Sequence, residues 1–499
     1  MSIVLIEEDI EKNYYTIGEG DKMIPEKIKF IMQELLNNGF EAYIIGGAVR
    51  DKLLHIEPHD YDIFTDATGE EILKIFPTGK VLGGEERQQK ILTVMVDDVE
   101  VSQYRSNGDR TETGTYLEDH QATCDLTINA MAMDIDGKIH WNNEMNCRGM
   151  DDLNVNDYEG QFPYQPHPTL RFVGSPLDRL DEDNLRALRV IRFKCKYKST
   201  VDYASTLALK EYDISKLPVE RIREELLKIM QYENGLKELN YYGLLKQIIP
   251  ELYHENHFKS GGDHHDETPF IHMMNAFSES CKVTDNVLLR MACLLHDIGK
   301  GEARTESNAH EVTGWSKETH EPILKQTQND INFYHHETIG CDIARNILIR
   351  LKFSKEDTEY VCYLIRKHMF SYKDKQKIKK KTYVKFFKGL DDHHIPIMDY
   401  IIQIYSDYMG NEKKKGIKFG DFISGSWLLG HYWECKYDKD TPFTIKDLDI
   451  SGRDIISLGI KPGPMVGTIL SKAFTRVMDG ELKNNRPDLM AWLKDEVKK

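Results

Sequence analysis

Residues Gly46–Thr68 read GGAVRDKLLHIEPHDYDIFTDAT. Just before them, Glu41 to Ile45 is a short apolar run that stops at Gly46-Gly47, the pattern of a strand ended by a turn. Glycine carries no Cβ, so the backbone at such a turn can approach a phosphate closely, and Arg50 follows with charge-assisted donors. Further on, Asp60 and Asp62 lie two apart in a β-like run, so both carboxylates project from one face while Tyr61 and Ile63 point to the other. Paired oxygen donors suit a hard divalent cation such as Mg²⁺. Glu100, in the strand-like VEVSQY (Val99–Tyr104), can add a third carboxylate across the sheet. A Gly-Gly alone is an ordinary turn and an Asp-x-Asp alone an ordinary strand edge. Close together between strands, they favour phosphate chemistry.

Working outward, helix and strand signals alternate from about residue 25 to 150. Pro25 suits a helix start, and Glu26 to Asn38 has helical periodicity. Further strands are expected at Tyr61–Thr65, Ile91–Val96, Glu100–Tyr104 and Ala130–Asp134, with a loop over Ser106–Gly114. From about residue 180 the pattern is helical almost throughout, beginning with the amphipathic segment Glu182–Lys196. Gly261-Gly262 marks an expected boundary, and a turn-rich stretch, SGRDIISLGIKPGPMVG (Ser451–Gly467), opens the final segment.

The 499 residues exceed one ordinary domain, and 40% hydrophobic with 30% charged residues is the balance of a folded, water-soluble protein. No run approaches the roughly 18 apolar residues of a membrane helix. The opening MSIVLIEEDIEKNYY lacks the basic lead of a secretory signal, and the 8 scattered cysteines read as reduced thiols, so a cytoplasmic setting is expected. A net charge of −16 argues against non-specific coating of nucleic acid. Two basic patches, Lys373–Lys388 and Lys413–Lys418, read equally well as solvated faces or as RNA contacts.

Two further stretches carry chemistry. In DEDNLRALRVIRF (Asp181–Phe193), Asp183 and Arg186 are three apart on one helical face, with Arg189 one step further. In LLRMACLLHDIGKG (Leu288–Gly301), an apolar helix delivers adjacent His296 and Asp297; His272, His336, His368 and Asp407 lie around them in sequence. Imidazole with carboxylate suits a transition metal or Mg²⁺.

The stretch Gly46–Thr68 resembles the signature of the class II tRNA nucleotidyltransferase and bacterial poly(A) polymerase superfamily. That resemblance implies that Asp60 and Asp62 bind catalytic Mg²⁺, that Glu100 matches a third carboxylate, and that Gly46, Gly47 and Arg50 contact a nucleoside triphosphate. CDLTINAMAMD (Cys124–Asp134) resembles a second family motif and places Asp125 and Asn129 beside the sugar and phosphates. Thr123 and Cys124 stand where the family usually has arginines, so one phosphate contact would pass to another basic residue such as Arg110. The Asp183–Arg186 element resembles the family's base reader, in which carboxylate and guanidinium, held by each other, imitate a Watson–Crick partner; Arg189 is a triphosphate or RNA contact.

The histidine series is similar to the HD phosphohydrolase superfamily, which assigns metal binding to His272, His296, Asp297 and Asp407, with His336 and His368 as additional ligands. Gly459–Leu470 resembles the family's tail near the tRNA elbow, and reads equally well as plain helix entry.

The expected fold is α+β: a nucleotidyltransferase head with a small mixed sheet over 25–150, then an all-helical neck (151–255), an HD body (256–420) and a tail (421–499). The expected activity is template-independent addition of CCA to tRNA from CTP and ATP, with phosphohydrolase action at a centre holding a divalent transition metal or Mg²⁺. Alternatives are a poly(A) polymerase, an enzyme adding part of CCA, or an RNA-binding phosphohydrolase with an inactive head. No membrane partner is expected.

Overall fold

A computed structural model of the chain describes residues 14–16, 24–82, 92–106, 112–141, 148–153, 167–256, 268–307, 310–315, 322–326, 330–372, 378, 380–411, 416–438 and 442–498. The chain divides into two compact units, Met1–Ile248 and Ile249–Lys499.

The stretch 151–255, expected to be all helical, holds a short parallel pair, Thr169–Leu170 with Thr200–Val201, set by backbone pairing too brief to leave a periodic signal. The main sheet of the first unit has eight strands: β1 (Tyr14–Thr16), β2 (Tyr43–Ile45), β3 (Asp62–Thr65), β4 (Lys80–Leu82), β5 (Thr93–Val96), β6 (Val99–Gln103), β7 (Ala132–Met133) and β8 (Lys138–His140). Their order is β1-β8-β7-β2-β3-β6-β5-β4. Only β3 and β6 run parallel; every other pair in this sheet is antiparallel. Alternation sets the faces: Ile63 and Thr65 of β3 are buried, while Asp62 and Phe64 are partly exposed on the other face.

Helix α1 (Glu26–Asn37) buries Ile28, Ile31, Met32 and Leu35, one stripe at helical spacing. The Gly46 turn leads directly into α2 (Gly47–Leu53); α3 (Gly69–Ile75), α4 (Leu117–Ala122) and α5 (Gly149–Leu153) follow.

The helix expected over Glu182–Lys196 is broken. Residues Pro176–Glu182 form α6 and Arg186–Tyr197 form α7, with Asp183 in extended backbone between them. The Asp183 carboxylate accepts the Leu185 N–H at 3.1 Å. An aspartate that satisfies nearby backbone amides competes with helix continuation, so the segment restarts instead of running through. Helices α8 (Tyr203–Glu211), α9 (Val219–Ile229), α10 (Gly235–Tyr241) and α11 (Leu244–Ile248) complete the unit.

The second unit contains α12 (Pro269–Cys281), α13 (Val287–Leu295), α14 (Lys300–Ala303), α15 (His336–Arg350), α16 (Lys355–Lys367), α17 (Lys380–Asp392) and α18 (Ile397–Gly410). It is mostly helical, but not wholly so. Arg304–Ser307 pairs with Asp330–Phe333, and His310–Trp315 with Pro322–Gln326, both antiparallel. HEVTGW and DINF are short and rich in β-branched or aromatic residues, and they lack the length a helix needs.

The tail helices α21 (Gly452–Ser457), α22 (Pro464–Met478) and α23 (Arg486–Glu496), which follow α19 (Phe419–Gly425) and α20 (Trp427–Tyr437), share a core of Ile455, Ile469, Ala473, Leu489 and Leu493. The Gly459–Leu470 stretch includes the start of α22, with Pro464 in its first turn. Part of the first basic patch packs within the unit: Lys381 bonds Asp479 at 2.7 Å and Lys388 lies 5.0 Å from the Phe474 ring centroid. Residues 373–377, 379 and 413–415 of the patches, the Gly261-Gly262 boundary and residues 107–111 of the Ser106–Gly114 loop lie outside the described residues. Among the described residues no helix is long and apolar enough to cross a membrane, and their cysteines are unbridged.

One buried lock ties α2 to α7. Asp51 accepts Arg50 Nε at 2.8 Å and the Tyr197 hydroxyl at 2.8 Å, while the Arg50 guanidinium lies 4.8 Å from the Tyr197 ring centroid. Asp51→Ala strands a buried guanidinium and a buried hydroxyl, so urea unfolding should show the first unit destabilised by about 3–5 kcal/mol. A loss below about 1 kcal/mol would remove the lock from this account.

Candidate active site and candidate metal centre

A cleft of about 580 Å³ opens in the first unit. The Gly46 turn forms one wall: its φ of +97° lies in the region open to glycine and strained for other residues. Across the floor runs a chain of polar contacts. Arg50 Nη1 donates to Asn129 Oδ1 at 2.5 Å, Asn129 Nδ2 donates to Asp125 Oδ1 at 2.9 Å, and Arg189 Nη2 meets Asp125 Oδ2 at 2.7 Å. Burial alone would raise the Asp125 carboxyl, but the Arg189 guanidinium and the Asn129 amide hold it below the usual carboxylate range. Five arginines (Arg50, Arg105, Arg186, Arg189, Arg221) and three aspartates (Asp62, Asp125, Asp183) line the cleft, so it is locally cationic within an acidic chain.

The parallel β3–β6 pair sets Asp62 directly opposite Glu100, and residues in register on neighbouring strands face the same side. Asp62 is partly buried and lines the cleft, whereas Glu100 is exposed. Asp60 precedes the strand, is exposed, and is not among the cleft-lining residues. Strand alternation therefore governs Asp62 but does not extend back to Asp60. Oxygen donors alone at this edge suit a hard divalent cation.

Asp183 and Arg186 both line the cleft, but they are held by other partners rather than by each other. Asp183 Oδ1 faces Arg221 Nη1 at 3.5 Å. Arg186 Nη1 donates to Glu182 Oε2 at 2.8 Å and to the Arg179 carbonyl at 2.8 Å, and its Nη2 donates to the Thr123 carbonyl at 3.1 Å. The helix break explains the difference: with Asp183 outside α7, the i to i+3 neighbourhood is lost and Glu182 takes its place. Arg105 and Arg221 escaped the sequence reading. Arg105 had a signal, a basic residue closing the VEVSQY strand; Arg221 sits in an ordinary amphipathic helix with none. Arg110 lies outside the described residues.

The second unit brings six potential ligands together, five of them buried and Asp407 partly buried. His272 Nε2 is 2.9 Å and His296 Nε2 3.3 Å from Asp407 Oδ1, and His296 Nε2 is 3.2 Å from Asp297 Oδ2. On the other side of Asp297, its Oδ1 is 3.3 Å from His336 Nε2 and 3.7 Å from His368 Nε2, with the two imidazole nitrogens 3.1 Å apart. These are two sets of three potential ligands, His272–His296–Asp407 and Asp297–His336–His368.

The donors fit a metal ion. Nδ1 of His296, His336 and His368 lies 2.8, 2.8 and 2.6 Å from the carbonyl oxygens of Cys293, Phe333 and Ile365. A carbonyl only accepts, so each Nδ1 carries the proton and each Nε2 presents a lone pair inward. His296 Nε2 is buried and makes no hydrogen bond among the described residues. Ligands at about 2.0–2.2 Å from an ion stand roughly 3–3.5 Å from one another, close to the spacings here. Burial would raise the Asp297 carboxyl, but the Lys300 ammonium holds it well below the carboxylate range.

Comparison with known proteins gives four matches along the chain. A Poly A polymerase head domain matches residues 42–157, "Probable RNA and SrmB- binding site of polymerase A" matches 207–255, an HD domain matches 270–404, and tRNA nucleotidyltransferase domain 2 matches 431–493. The CCA-adding enzyme of Limosilactobacillus reuteri (strain DSM 20016) is 34% identical over 246 residues, 46% of this chain and 55% of that protein. Poly(A) polymerase I of Haemophilus influenzae is 30% identical over 246 residues, 44% of this chain and 51% of that one. The chain therefore spans about half the length of the curated relatives it matches. The Bacillus stearothermophilus CCA-adding enzyme, solved in complex with CTP, shares the fold with a TM-score of 0.56 at 18% identity, over 95% of this chain and 98% of that one.

Gly299 is the residue that lets the two ligand sets meet. A Cβ there would overlap the His336 carbonyl oxygen and the Gly340 amide, at the first turns of α15. Gly299→Ala should push α15, and His336 with it, away from Asp297, destabilising the second unit by about 1–3 kcal/mol in thermal unfolding. Unchanged stability would mean that the approach is not tight.

Proposed function

We propose that this chain, which belongs to the class II tRNA nucleotidyltransferase and bacterial poly(A) polymerase superfamily, adds CCA to the 3′ end of tRNA from CTP and ATP in the cytoplasm. In this reading, residues 25–150 act as the transferase head, 151–255 as a neck, 256–420 as the HD body and 421–499 as the tail. The observation that carries the reading is Asp62 set opposite Glu100 at the edge of a cleft lined by arginines.

The reaction is in-line attack of the RNA 3′-hydroxyl on the α-phosphate, releasing pyrophosphate. Asp60, Asp62 and Glu100 would hold Mg²⁺, which when bound supplies charge neutralisation at the phosphates and an activated hydroxyl. Gly46 and Gly47 let the triphosphate approach the backbone, and Arg50 and Arg189, fixed through Asn129 and Asp125, meet it with oriented positive charge. The Asp183 carboxylate accepts from the exocyclic amine of cytosine or adenine while Arg186 donates to the ring acceptor. Uracil and guanine present the opposite pattern to both groups. The net charge of −16 favours a tRNA substrate over a long RNA held along its backbone, which sets the tRNA enzyme ahead of a poly(A) polymerase or a partial CCA enzyme.

A second activity rests on the buried histidines. His272, His296 and Asp407 on one side and Asp297, His336 and His368 on the other would hold one or two divalent ions. Four imidazoles favour a transition metal over Mg²⁺. Such ions supply Lewis acidity for phosphoester hydrolysis, and Lys300, 2.5 Å from Asp297 Oδ2, orients that carboxylate.

Two variants separate the centres. Asp62→Ala should lower CMP and AMP incorporation into tRNA lacking CCA by about 10³-fold or more, on the order of 4 kcal/mol of transition-state stabilisation, while leaving any phosphoesterase rate unchanged. Long adenosine tails from the unmodified protein would instead favour the poly(A) reading. Mn²⁺ at about 100 times its Kd should stabilise the second unit by about 2.7 kcal/mol. His296→Ala should abolish that gain and keep incorporation; loss of incorporation in His296→Ala would mean that the roles of the two centres are misassigned.

A further inference from the structure

Arg186 has five N–H groups, and three of them are engaged by the Arg179 carbonyl, the Glu182 carboxylate and the Thr123 carbonyl. What those three acceptors do decides where the remaining N–H groups point. Glu182 and Arg179 sit on α6, one turn away from Arg186. Thr123 is different: it caps the far end of α4, distant in sequence, and is buried.

Thr123 is itself held through its hydroxyl from both sides. The Thr123 hydroxyl donates to the His120 carbonyl at 2.8 Å and accepts Arg105 Nε at 2.8 Å. Arg179 Nη1 donates to the neighbouring Ala122 carbonyl at 2.8 Å. Arg105 is anchored in turn by an antiparallel bridge to Thr113 just past β6. Contacts therefore run from Arg105 through one threonine, hydroxyl on one side and carbonyl on the other, to Arg186.

We propose that Arg105 and Thr123 are a positioning pair that sets nucleotide selection by fixing the orientation of Arg186. This deepens the transferase reading and rests on it. An arginine at position 123 would lack the compact hydroxyl that joins the His120 carbonyl to Arg105, so the threonine is what this chain's geometry requires. Neither residue need touch the base: the pair acts through the carbonyl that occupies one Arg186 donor.

The test is base discrimination, which a purely structural role leaves unmoved. For the full chain, kcat/KM is measured for CTP against UTP and for ATP against GTP on tRNA lacking its 3′ additions. Thr123→Val removes the hydroxyl at nearly constant volume, and Arg105→Gln removes the charge and the Nε donor. Each should lower both ratios by about 5- to 20-fold, the effect of one lost hydrogen bond, with a smaller change in kcat for the correct nucleotide. Thr123→Ser, which keeps the hydroxyl, should retain the wild-type ratios. Unchanged ratios in Thr123→Val and Arg105→Gln overturn the proposal, as does a Thr123→Ser ratio as low as that of Thr123→Val. If the unmodified chain incorporates nothing, the transferase reading fails on its own. The pair is then judged by calorimetric CTP-to-UTP affinity ratios, where a fall in the variants supports it and no change overturns it.

Discussion

The chain Arg50–Asn129–Asp125–Arg189 is the constraint on which the first unit's site depends. It joins three segments far apart in sequence: the glycine turn, the loop after α4, and α7. Each charge-assisted contact contributes about 1.5–3 kcal/mol, and removing Arg189 leaves the buried Asp125 carboxylate without its ionic partner, at a cost of several kcal/mol. Because the Asp125 carboxyl is held below its ordinary value, its contribution is complete above the unfolded carboxylate pKa. It is lost as pH falls through the lower folded value. An acid limit on the cleft follows from the same contacts that orient its arginines.

The two centres solve opposite problems. The first unit's cleft is open, with oxygen donors at an exposed strand edge and arginines tethered by acceptors on the protein. The histidine centre is closed around its donors: His272, His296, Asp297 and His368 are each under 4% exposed. There the polar atoms must be satisfied internally. Backbone carbonyls take the Nδ1 protons and leave Nε2 atoms gathered around Asp297, an arrangement without purpose unless a cation joins them. An open carboxylate edge and a largely buried imidazole cluster thus differ in donor chemistry before any substrate is considered.

How much of this could be read in advance depends on the range of the interactions. Asp62 and its cleft-facing side follow from two-residue alternation, a purely local rule, and the glycine turn follows from the absence of a Cβ. The parallel register that brings Glu100 opposite Asp62 is a tertiary fact, hinted at only by a strand-like VEVSQY. The break between α6 and α7 was hidden because Asp181–Phe193 has good helical periodicity; an aspartate that can cap as readily as continue decided the outcome. The partner of Arg186 changed with it. The short strand pairs in the second unit were also obscured, since brief β segments embedded in helical sequence carry little periodic signal. The six potential ligands of the histidine cluster, by contrast, come from three helices and the ends of two more, and what makes them readable is residue type and order along the chain, not spacing.

The acidity of the chain sharpens the role of the cleft. A net charge of −16 gives the surface a field that repels polyanions at long range, and that field is screened beyond about 8–10 Å at physiological salt. Inside the cleft, five arginines outnumber three aspartates. An anion therefore gains attraction only after it has entered far enough for the local charges to dominate the global one. Attraction of this kind favours a compact anion that fits the cleft over an extended one that must lie along the outer surface. The distribution of charge therefore discriminates anions by shape as well as by sign.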